Sequence, residues 1–240
     1  MFDEAIKLGY RHFDSAQAYK NEYLLGQSWK RSGLKRQDLF LTTKIAVQNF
    51  SKKRLIRSFE QSLQELQTDY VDLLLLHFPV SVLRKKAWLN LEKLLQDKKV
   101  KSIGVSNYTI KHLESLKKYS SYKPVINQVE LHVFLRQMDL IKYCQSNQIT
   151  IEAYSPLAHS KAMDNKIIKS IAVKHHKTYA QVMLRWLIQN NLVILPKTIT
   201  PIRLQENINI FDFELDSDDL LMIQKLPSNQ RTCWNPTRIP

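Results

Sequence analysis

Short hydrophobic runs alternate with longer amphipathic segments along the whole chain. The runs are apolar at consecutive positions, which is typical of parallel strands that helices cover on both faces. The seven candidate strands are residues 10–14, 39–45, 71–78, 102–106, 125–131, 150–154 and 193–196. An alternation of strand and helix of this kind predicts an α/β fold built on a parallel sheet.

The segments between the runs carry apolar residues three or four positions apart, the spacing of a helix with one buried face. The clearest stripe is formed by Leu55, Ile56, Phe59, Leu63 and Leu66. Thr178 followed by Gln181 resembles a capping box at the start of a helix. Asp216 or Ser217 could cap a final helix, because both side chains accept hydrogen bonds from backbone N–H groups.

The strand count leaves two architectures open. A closed (β/α)8 barrel of the TIM type needs eight strands, whereas this chain predicts seven and its alternation begins within a helix. The chain is therefore either an open doubly wound sheet or a barrel whose first strand lies upstream of Met1. No stretch rich in serine, proline and glycine separates two halves, so we expect a single domain over residues 1–240.

The net charge of +14 raises the question of an anionic partner. A basic chain can bind nucleic acid, a membrane surface or a phosphorylated small molecule. Here the lysines and arginines are scattered, and no aromatic-plus-basic motif accompanies them. We interpret the charge as a solvated basic surface, with a field that attracts a phosphorylated cofactor as the alternative, and expect neither a nucleic-acid nor a membrane partner.

Cysteine usage and hydropathy bear on the compartment. Cys144 and Cys233 lie far apart with no CxxC spacing, which favours a reducing compartment and suggests neither a disulfide framework nor a metal site. The longest leucine run, residues 73–76, is far too short to cross a bilayer. The first residues do not resemble a secretory signal. We expect a cytoplasmic protein, and no metal, because the histidines show no ligand spacing either.

Titratable side chains follow the predicted strands at the point where each one ends. Asp14 ends a predicted strand, Lys44 and His77 each lie one residue before the end of theirs, and Tyr19 lies five residues past Asp14. In a parallel barrel these carboxyl ends meet at one edge, where function gathers. Taken singly, each residue has an ordinary structural interpretation: a helix cap, a solvent-seeking lysine, a strand-end histidine or a packing aromatic ring.

Five segments, in order and at compatible spacing, resemble the aldo-keto reductase family. They are GYRHFDSA at residues 9–16 with Tyr19, GVSN at 104–107, NQVELH at 127–132, YSPL at 154–157 and LPKT at 195–198. The resemblance covers nearly the whole chain and implies an eight-stranded barrel, so we expect an incomplete (β/α)8 barrel with its first strand missing. A truncated gene model, a decayed copy or another segment in the gap would each explain the difference.

The resemblance implies a catalytic tetrad of Asp14, Tyr19, Lys44 and His77. Hydride delivered to a carbonyl carbon builds negative charge on the oxygen, so a proton donor is needed there. A phenol is a weak acid, with an ordinary pKa near 10, and a neighbouring ammonium held by a carboxylate stabilises the phenolate that proton transfer leaves. The histidine can donate to the same oxygen, like a member of an oxyanion hole.

The resemblance also implies a nicotinamide cofactor. The implied contacts are to the nicotinamide from Ser106, Asn107, Gln128 and Tyr154, to the pyrophosphate from Ser155 and Leu157, and to the adenosine end from Lys197, Thr198, Arg203, Glu206 and Asn207. Two cations among the last group favour NADPH (NADP+) over NADH, because a phosphate rewards charge-assisted contacts.

The predicted substrate pocket has short walls. The stretches at residues 79–86 and 157–164 are short, as in the bacterial branch that includes diketogluconate reductases, and they imply an open pocket. His77, Phe78, which stands where the family usually has tryptophan, and Trp234 are the expected substrate contacts.

The sequence therefore predicts an NADPH-dependent reductase of small aldehydes or ketones, with Tyr19 as general acid, acting as a monomer on a small carbonyl substrate. The alternative is a catalytically impaired, truncated relative that only binds a nicotinamide cofactor or a protein partner. A complete tetrad favours the first, and the absent strand favours the second.

Overall fold

A computed structural model of the chain describes residues 1–160 and 164–240, so three residues of the predicted short loop at 157–164 lie outside the described residues. Within the described ranges there are seven strands, one in each predicted run. They are β1 (His12–Asp14), β2 (Phe40–Ile45), β3 (Val71–Leu76), β4 (Val100–Ser106), β5 (Ile126–Glu130), β6 (Thr150–Tyr154) and β7 (Val193–Leu195).

Helices occupy the amphipathic segments. The helices of the described residues are α1 (Phe2–Lys7), α2 (Glu22–Arg31), α3 (Lys52–Leu66), α4 (Arg84–Gln96), α5 (Ile110–Lys117), α6 (Met138–Ser146), α7 (Lys166–Lys174), α8 (Tyr179–Gln189), α9 (Pro201–Ile208) and α10 (Ser217–Gln224). The predicted capping box is confirmed, since the Thr178 hydroxyl accepts a hydrogen bond from the backbone of Gln181 at the start of α8. Asp216, rather than Ser217, caps α10.

The order of the strands decides between the two predicted architectures. It follows the chain from β1 to β7 without a reversal, whereas a doubly wound sheet reverses its strand order at a switch point. The pairs β1–β2, β2–β3, β3–β4 and β6–β7 are all parallel. Parallel strands in sequential order with intervening helices are the topology of a (β/α) barrel, which confirms the predicted fold class with seven strands.

The described residues divide into two compact units. The first comprises Met1–Asn127 together with Pro236–Pro240, and the second comprises Gln128–Asn235. Each unit is described by itself below, and the single domain expected from the sequence stays a prediction. No helix in the described part of the chain has the length and hydropathy that crossing a membrane requires.

The core of the first unit is centred on β3. Every residue of this strand is buried, and Leu73 to Leu76 have no exposed surface, as expected of a strand covered on both faces. Leu75 pairs with Gly104 of β4. A Cβ atom at Gly104 would lie 2.7 Å from the Ile126 carbonyl oxygen, so only glycine fits there. The rigid sheet that results holds the strand ends from which the candidate site projects.

Candidate functional site

Lys44 is the centre of the predicted tetrad in the first unit. The residue is fully buried near the end of β2, and its ammonium donates to the Asp14 carboxylate and to the Ser15 carbonyl oxygen, the latter at 2.9 Å. The Lys44 Nζ atom also lies 3.4 Å from the Tyr19 hydroxyl. A buried lysine needs such partners, because burying an unpaired charge is costly.

Strand register brings these residues together. Asp14 pairs with Thr42, two residues before Lys44, so both side chains emerge at the carboxyl ends of adjacent strands. His77 follows the next strand, and its backbone N–H donates to the Ile45 carbonyl oxygen at 3.2 Å. Three consecutive strands therefore deliver the acid, the amine and the imidazole to one edge.

Tyr19 reaches the same edge from a single 3-10 turn, Gln17–Tyr19. Its ring meets the His77 ring edge to face, with centroids 5.6 Å apart and an interplanar angle of 83°. The ring centroid also lies 4.8 Å from Lys44 Nζ. Tyr19 remains 49% exposed, so a molecule arriving from solvent can reach this residue while Lys44 lies shielded behind it.

The charges of the site follow from burial and from neighbours. Burial opposes the charge on Lys44, but the adjacent Asp14 and Tyr19 outweigh it and raise the pKa of the ammonium. Burial, helped by the positive charge of Lys44, lowers the pKa of His77 to about 4. At neutral pH the site therefore holds a lysine cation beside a neutral imidazole.

Ser106 and Asn107 extend the site at the end of β4. Both residues are buried, and Asn107 adopts a left-handed backbone with a φ of 66°. Its side-chain amide donates to the His77 carbonyl oxygen at 3.2 Å and to the Ser106 hydroxyl at 3.0 Å. The first unit thus brings two of the predicted nicotinamide contacts next to the backbone of His77.

The second unit carries the remaining predicted nicotinamide and pyrophosphate contacts. The Gln128 amide donates to Glu152 at 2.9 Å, and Tyr154 ends β6. Ser155 follows with a left-handed φ of 49°, and its hydroxyl lies 3.3 Å from His159 Nε2. Leu157 lies two residues further along, half-buried in the same turn.

The predicted adenosine contacts lie in the segment before α9 and along the helix. Lys197 and Arg203 are both exposed there, while Thr198 accepts a hydrogen bond from the Thr200 N–H at 3.0 Å and so shapes the turn before the helix. Glu206 accepts a hydrogen bond from the Thr178 hydroxyl, and Asn207 is buried. Two solvent-facing cations before and within the first turn of a helix suit the binding of a phosphate.

Of the predicted substrate contacts, Phe78 is half-buried beside His77 in the first unit. Trp234 belongs to the second unit and is 79% exposed.

Sequence reasoning missed two groups near these residues. Gln17 makes three side-chain hydrogen bonds just before Tyr19. Glu130, a fully buried carboxylate in β5, accepts hydrogen bonds from Thr232, Cys233 and Arg231 in the segment that precedes Trp234. Burial opposes its ionisation, but the hydrogen bonds from His132, Thr232 and Cys233 outweigh it and lower the pKa of Glu130 to about 2. For Glu130, the only indication in the sequence was its position two residues past Gln128.

Comparisons with known proteins bear on the whole chain. The model of the Aldo/keto reductase family matches residues 1–227. Glyoxal reductase of Bacillus subtilis (strain 168) is 44% identical over 235 residues, which cover 98% of this chain and 85% of that protein. These matches confirm the resemblance inferred from the five segments.

Two solved structures show the same fold. An aldo-keto reductase from a Medee basin deep-sea metagenome library superimposes with a TM-score of 0.94 at 35% identity, covering 100% of this chain and 89% of that one. The Bombyx mori aldo-keto reductase in complex with NADP has a TM-score of 0.90 at 31% identity, covering 96% of this chain and 82% of that one.

Proposed function

The chain belongs to the Aldo/keto reductase family, and we propose that it uses NADPH to reduce a small aldehyde or ketone to an alcohol, with Tyr19 as the general acid. The observation that carries this proposal is the 3.4 Å separation between Lys44 Nζ and the Tyr19 hydroxyl, with Asp14 hydrogen-bonded to the same ammonium. A lone exposed tyrosine would have no such support.

The donor set fits a nicotinamide dinucleotide phosphate. In the first unit, the buried Ser106 and Asn107 are polar groups of the type that binds a carboxamide. In the second unit, Lys197 and Arg203 offer the exposed cations that a 2′-phosphate requires. The Bombyx mori relative, which was solved with NADP, supports the same choice. When bound, NADPH supplies the hydride that adds to the carbonyl carbon.

Tyr19 gives its phenolic proton to the carbonyl oxygen as negative charge develops there. The phenolate that remains lies beside Lys44, and the positive charge of the ammonium stabilises its negative charge. Asp14 keeps Lys44 protonated and oriented by accepting its hydrogen bond. Asp14 thus acts on Tyr19 through Lys44, which it holds next to the phenol.

His77 orients the substrate. Because its pKa is lowered to about 4, the imidazole is neutral at neutral pH and carries one N–H. The His77 ring lies edge to face against Tyr19, so a carbonyl oxygen at the Tyr19 hydroxyl is also close to the imidazole. The hydrogen bond from the neutral imidazole becomes stronger as negative charge grows on that oxygen.

The substrate class is a small carbonyl compound, including dicarbonyl and sugar-derived ones. In the first unit, the short stretch after His77 and the exposed ring of Tyr19 support an open pocket. The Bacillus subtilis relative, glyoxal reductase, takes its name from a small dicarbonyl.

The test is the Tyr19→Phe variant, with Tyr23→Phe as a matched control, because Tyr23 is an equally exposed tyrosine four residues along the chain. NADPH oxidation would be followed by the loss of NADPH absorbance, with 4-nitrobenzaldehyde and with glyoxal as substrates. We expect the rate in Tyr19→Phe to fall at least about a hundredfold, with NADPH binding by fluorescence titration unchanged, and Tyr23→Phe to match the wild type.

Unchanged turnover in Tyr19→Phe would refute the acid assignment. NADPH binding by the wild-type chain without turnover of any carbonyl would instead favour the impaired relative that only binds the cofactor.

A further inference from the structure

A glutamine two residues before Tyr19 ties the tyrosine's turn to the end of β2. The Gln17 amide oxygen accepts the Ala46 N–H at 3.0 Å and the Asn49 side-chain N–H at 2.9 Å. The Gln17 amide nitrogen donates to the Ser62 hydroxyl of α3 at 3.2 Å. One side chain therefore joins the 3-10 turn that carries Tyr19 to the segment that follows Lys44 and to a neighbouring helix.

The other side of the turn is tied to the same strand. Glu22, three residues after Tyr19, is 3% exposed and accepts the Thr43 hydroxyl at 2.6 Å. Thr43 is the direct neighbour of Lys44 in β2. The Ser62 hydroxyl, which receives the Gln17 amide, lies 3.1 Å from the second Glu22 oxygen and closes the network.

The contacts of Tyr19 at the site are its hydroxyl to Lys44 and its ring to His77. Its ring is half exposed, and the turn ends at Lys20 in a left-handed conformation with a φ of 53°. The distance from the Tyr19 hydroxyl to Lys44 Nζ therefore depends on where the backbone of residues 17–19 is held. The Gln17 amide holds this backbone from one side and Glu22 holds it from the other.

We propose that Gln17 is a positioning residue for Tyr19, which holds the phenol within reach of the Lys44 ammonium and of the carbonyl oxygen. This inference rests on the proposed function, in which Tyr19 is the general acid. Gln17 touches no reacting atom, and it acts only through the turn. A displacement of the acid by about 1 Å can slow a reaction as much as a hundredfold.

The test is Gln17→Met, which keeps the length of the side chain and removes all three hydrogen bonds. The rate constant of a single turnover would be measured per NADPH-binding site, together with KM and the solvent deuterium isotope effect. We expect a rate about tenfold lower, KM within about twofold of the wild type, and a larger isotope effect, because proton donation from a misplaced phenol becomes slower.

Two further variants separate positioning from loss of structure. Gln61→Met removes a glutamine that donates only to Glu65 on the surface of α3, and it should leave both the rate and the isotope effect unchanged. Gln17→Glu retains the acceptor for Ala46 and Asn49 but loses the donor to Ser62, and its rate should lie between Gln17→Met and the wild type. Gln17→Glu also decides the matter if Gln17→Met does not fold.

A rate per binding site equal to the wild type in Gln17→Met, or a loss seen only as fewer NADPH-binding sites, would overturn the positioning role. If Gln17→Met cannot be prepared, a Gln17→Glu variant with the rate and isotope effect of the wild type would also overturn the positioning role. If Tyr19→Phe were fully active, the proposed function and the positioning role would both fail. An inactive Tyr19→Phe beside an unimpaired Gln17→Met would remove only the second.

Discussion

The Lys44 ammonium lies 3.4 Å from the Tyr19 hydroxyl, yet Lys44 has no surface exposed to solvent while Tyr19 is half exposed. The two residues are therefore in contact but differ in their access to solvent. The exposed phenol can meet a substrate, and the buried cation stabilises the charge on the phenol without competing solvent. Since electrostatic interactions are stronger away from water, a buried ammonium stabilises a neighbouring phenolate more than an exposed lysine would.

Replacing Lys44 by methionine tests whether the reaction needs the buried charge. The variant keeps the apolar stem but removes the cation, so we expect the single-turnover rate to fall at least about a hundredfold. Breaking a buried ion pair also costs about 3–5 kcal/mol of folding free energy, which urea unfolding would measure. The control is Lys20→Met, since Lys20 is exposed directly after Tyr19. Equal rates in the two variants would contradict a role for the Lys44 charge.

The lowered pKa of His77, about 4, predicts the pH dependence of the reaction. The imidazole stays neutral from pH 8 down to about pH 5, so kcat/KM should show no loss from this residue over that range and should fall near pH 4. A histidine that titrated at its ordinary pKa, near 6.5, would instead produce an inflection there. A pH profile of kcat/KM for the wild type and for His77→Gln separates the two cases.

The same group affects stability. Because the folded-state pKa of His77 lies below the unfolded value, the unfolded chain binds more protons between about pH 6.5 and pH 4. The contribution of His77 to stability is therefore present above this window and is lost as the pH falls through it. His12, whose pKa burial also lowers, acts in the same direction, so the urea midpoint of His77→Gln should vary less with pH than that of the wild type without becoming flat.

Arg203 should decide the choice of cofactor. Its exposed guanidinium on α9 has the geometry to pair with a phosphate, and NADH has no 2′-phosphate. We expect Arg203→Ala to raise the Kd for NADPH about tenfold, a loss of about 1.4 kcal/mol, and to leave the Kd for NADH unchanged. Lys225→Ala, an exposed cation on another helix end, is the control. An equal effect of Arg203→Ala on both cofactors would refute phosphate recognition by this residue.

Glu130 should stabilise the segment before Trp234. Its carboxylate accepts the Thr232 hydroxyl at 2.6 Å, the Cys233 N–H at 3.2 Å and the Arg231 guanidinium at 3.2 Å. An amide at this position would turn its own N–H group towards these donors, so Glu130→Gln should cost about 2–4 kcal/mol. Trypsin should also cleave after Arg231 faster in the variant.

Glu214→Gln is the matched control for Glu130→Gln, because Glu214 pairs with Arg185 but has a side chain 81% exposed. Such a pair contributes at most about 1 kcal/mol. The depressed pKa of Glu130, about 2, adds a pH test: its stabilising effect is complete above about pH 4.5 and disappears as the pH falls towards 2. Unfolding curves that are the same for Glu130→Gln and Glu214→Gln would show that Glu130 does not stabilise the segment.

The strands could be predicted from the sequence where burial is two-sided, and their ends could not. The run at 71–78 predicts β3, but the strand stops at Leu76, because the Val80 N–H turns back to Phe78 around Pro79. The run at 10–14 loses two residues, since the Tyr10 N–H bonds to Ala5 at the end of α1. The hydrophobic pattern does not show where a backbone N–H group bonds within a neighbouring turn and so leaves the sheet.

The candidate site divides in the same way. The proximity of the four tetrad residues could be predicted, because Asp14, Lys44 and His77 fall at or near strand ends and Tyr19 follows Asp14 within the same recognisable segment. The role of Gln17 could not, because its partners Ala46, Asn49 and Ser62 lie 29 to 45 residues away. A side-chain amide makes such bonds without any local spacing rule, so only the folded chain reveals them.

The complete burial of Lys44 gives the chain a built-in reporter of its own integrity. Acylating reagents label the solvent-facing lysines at once, but they can reach this amine only when the sheet opens. Mass spectrometry of the peptide that contains Lys44, after a short pulse of acetic anhydride, therefore reads out how often the site opens under native conditions.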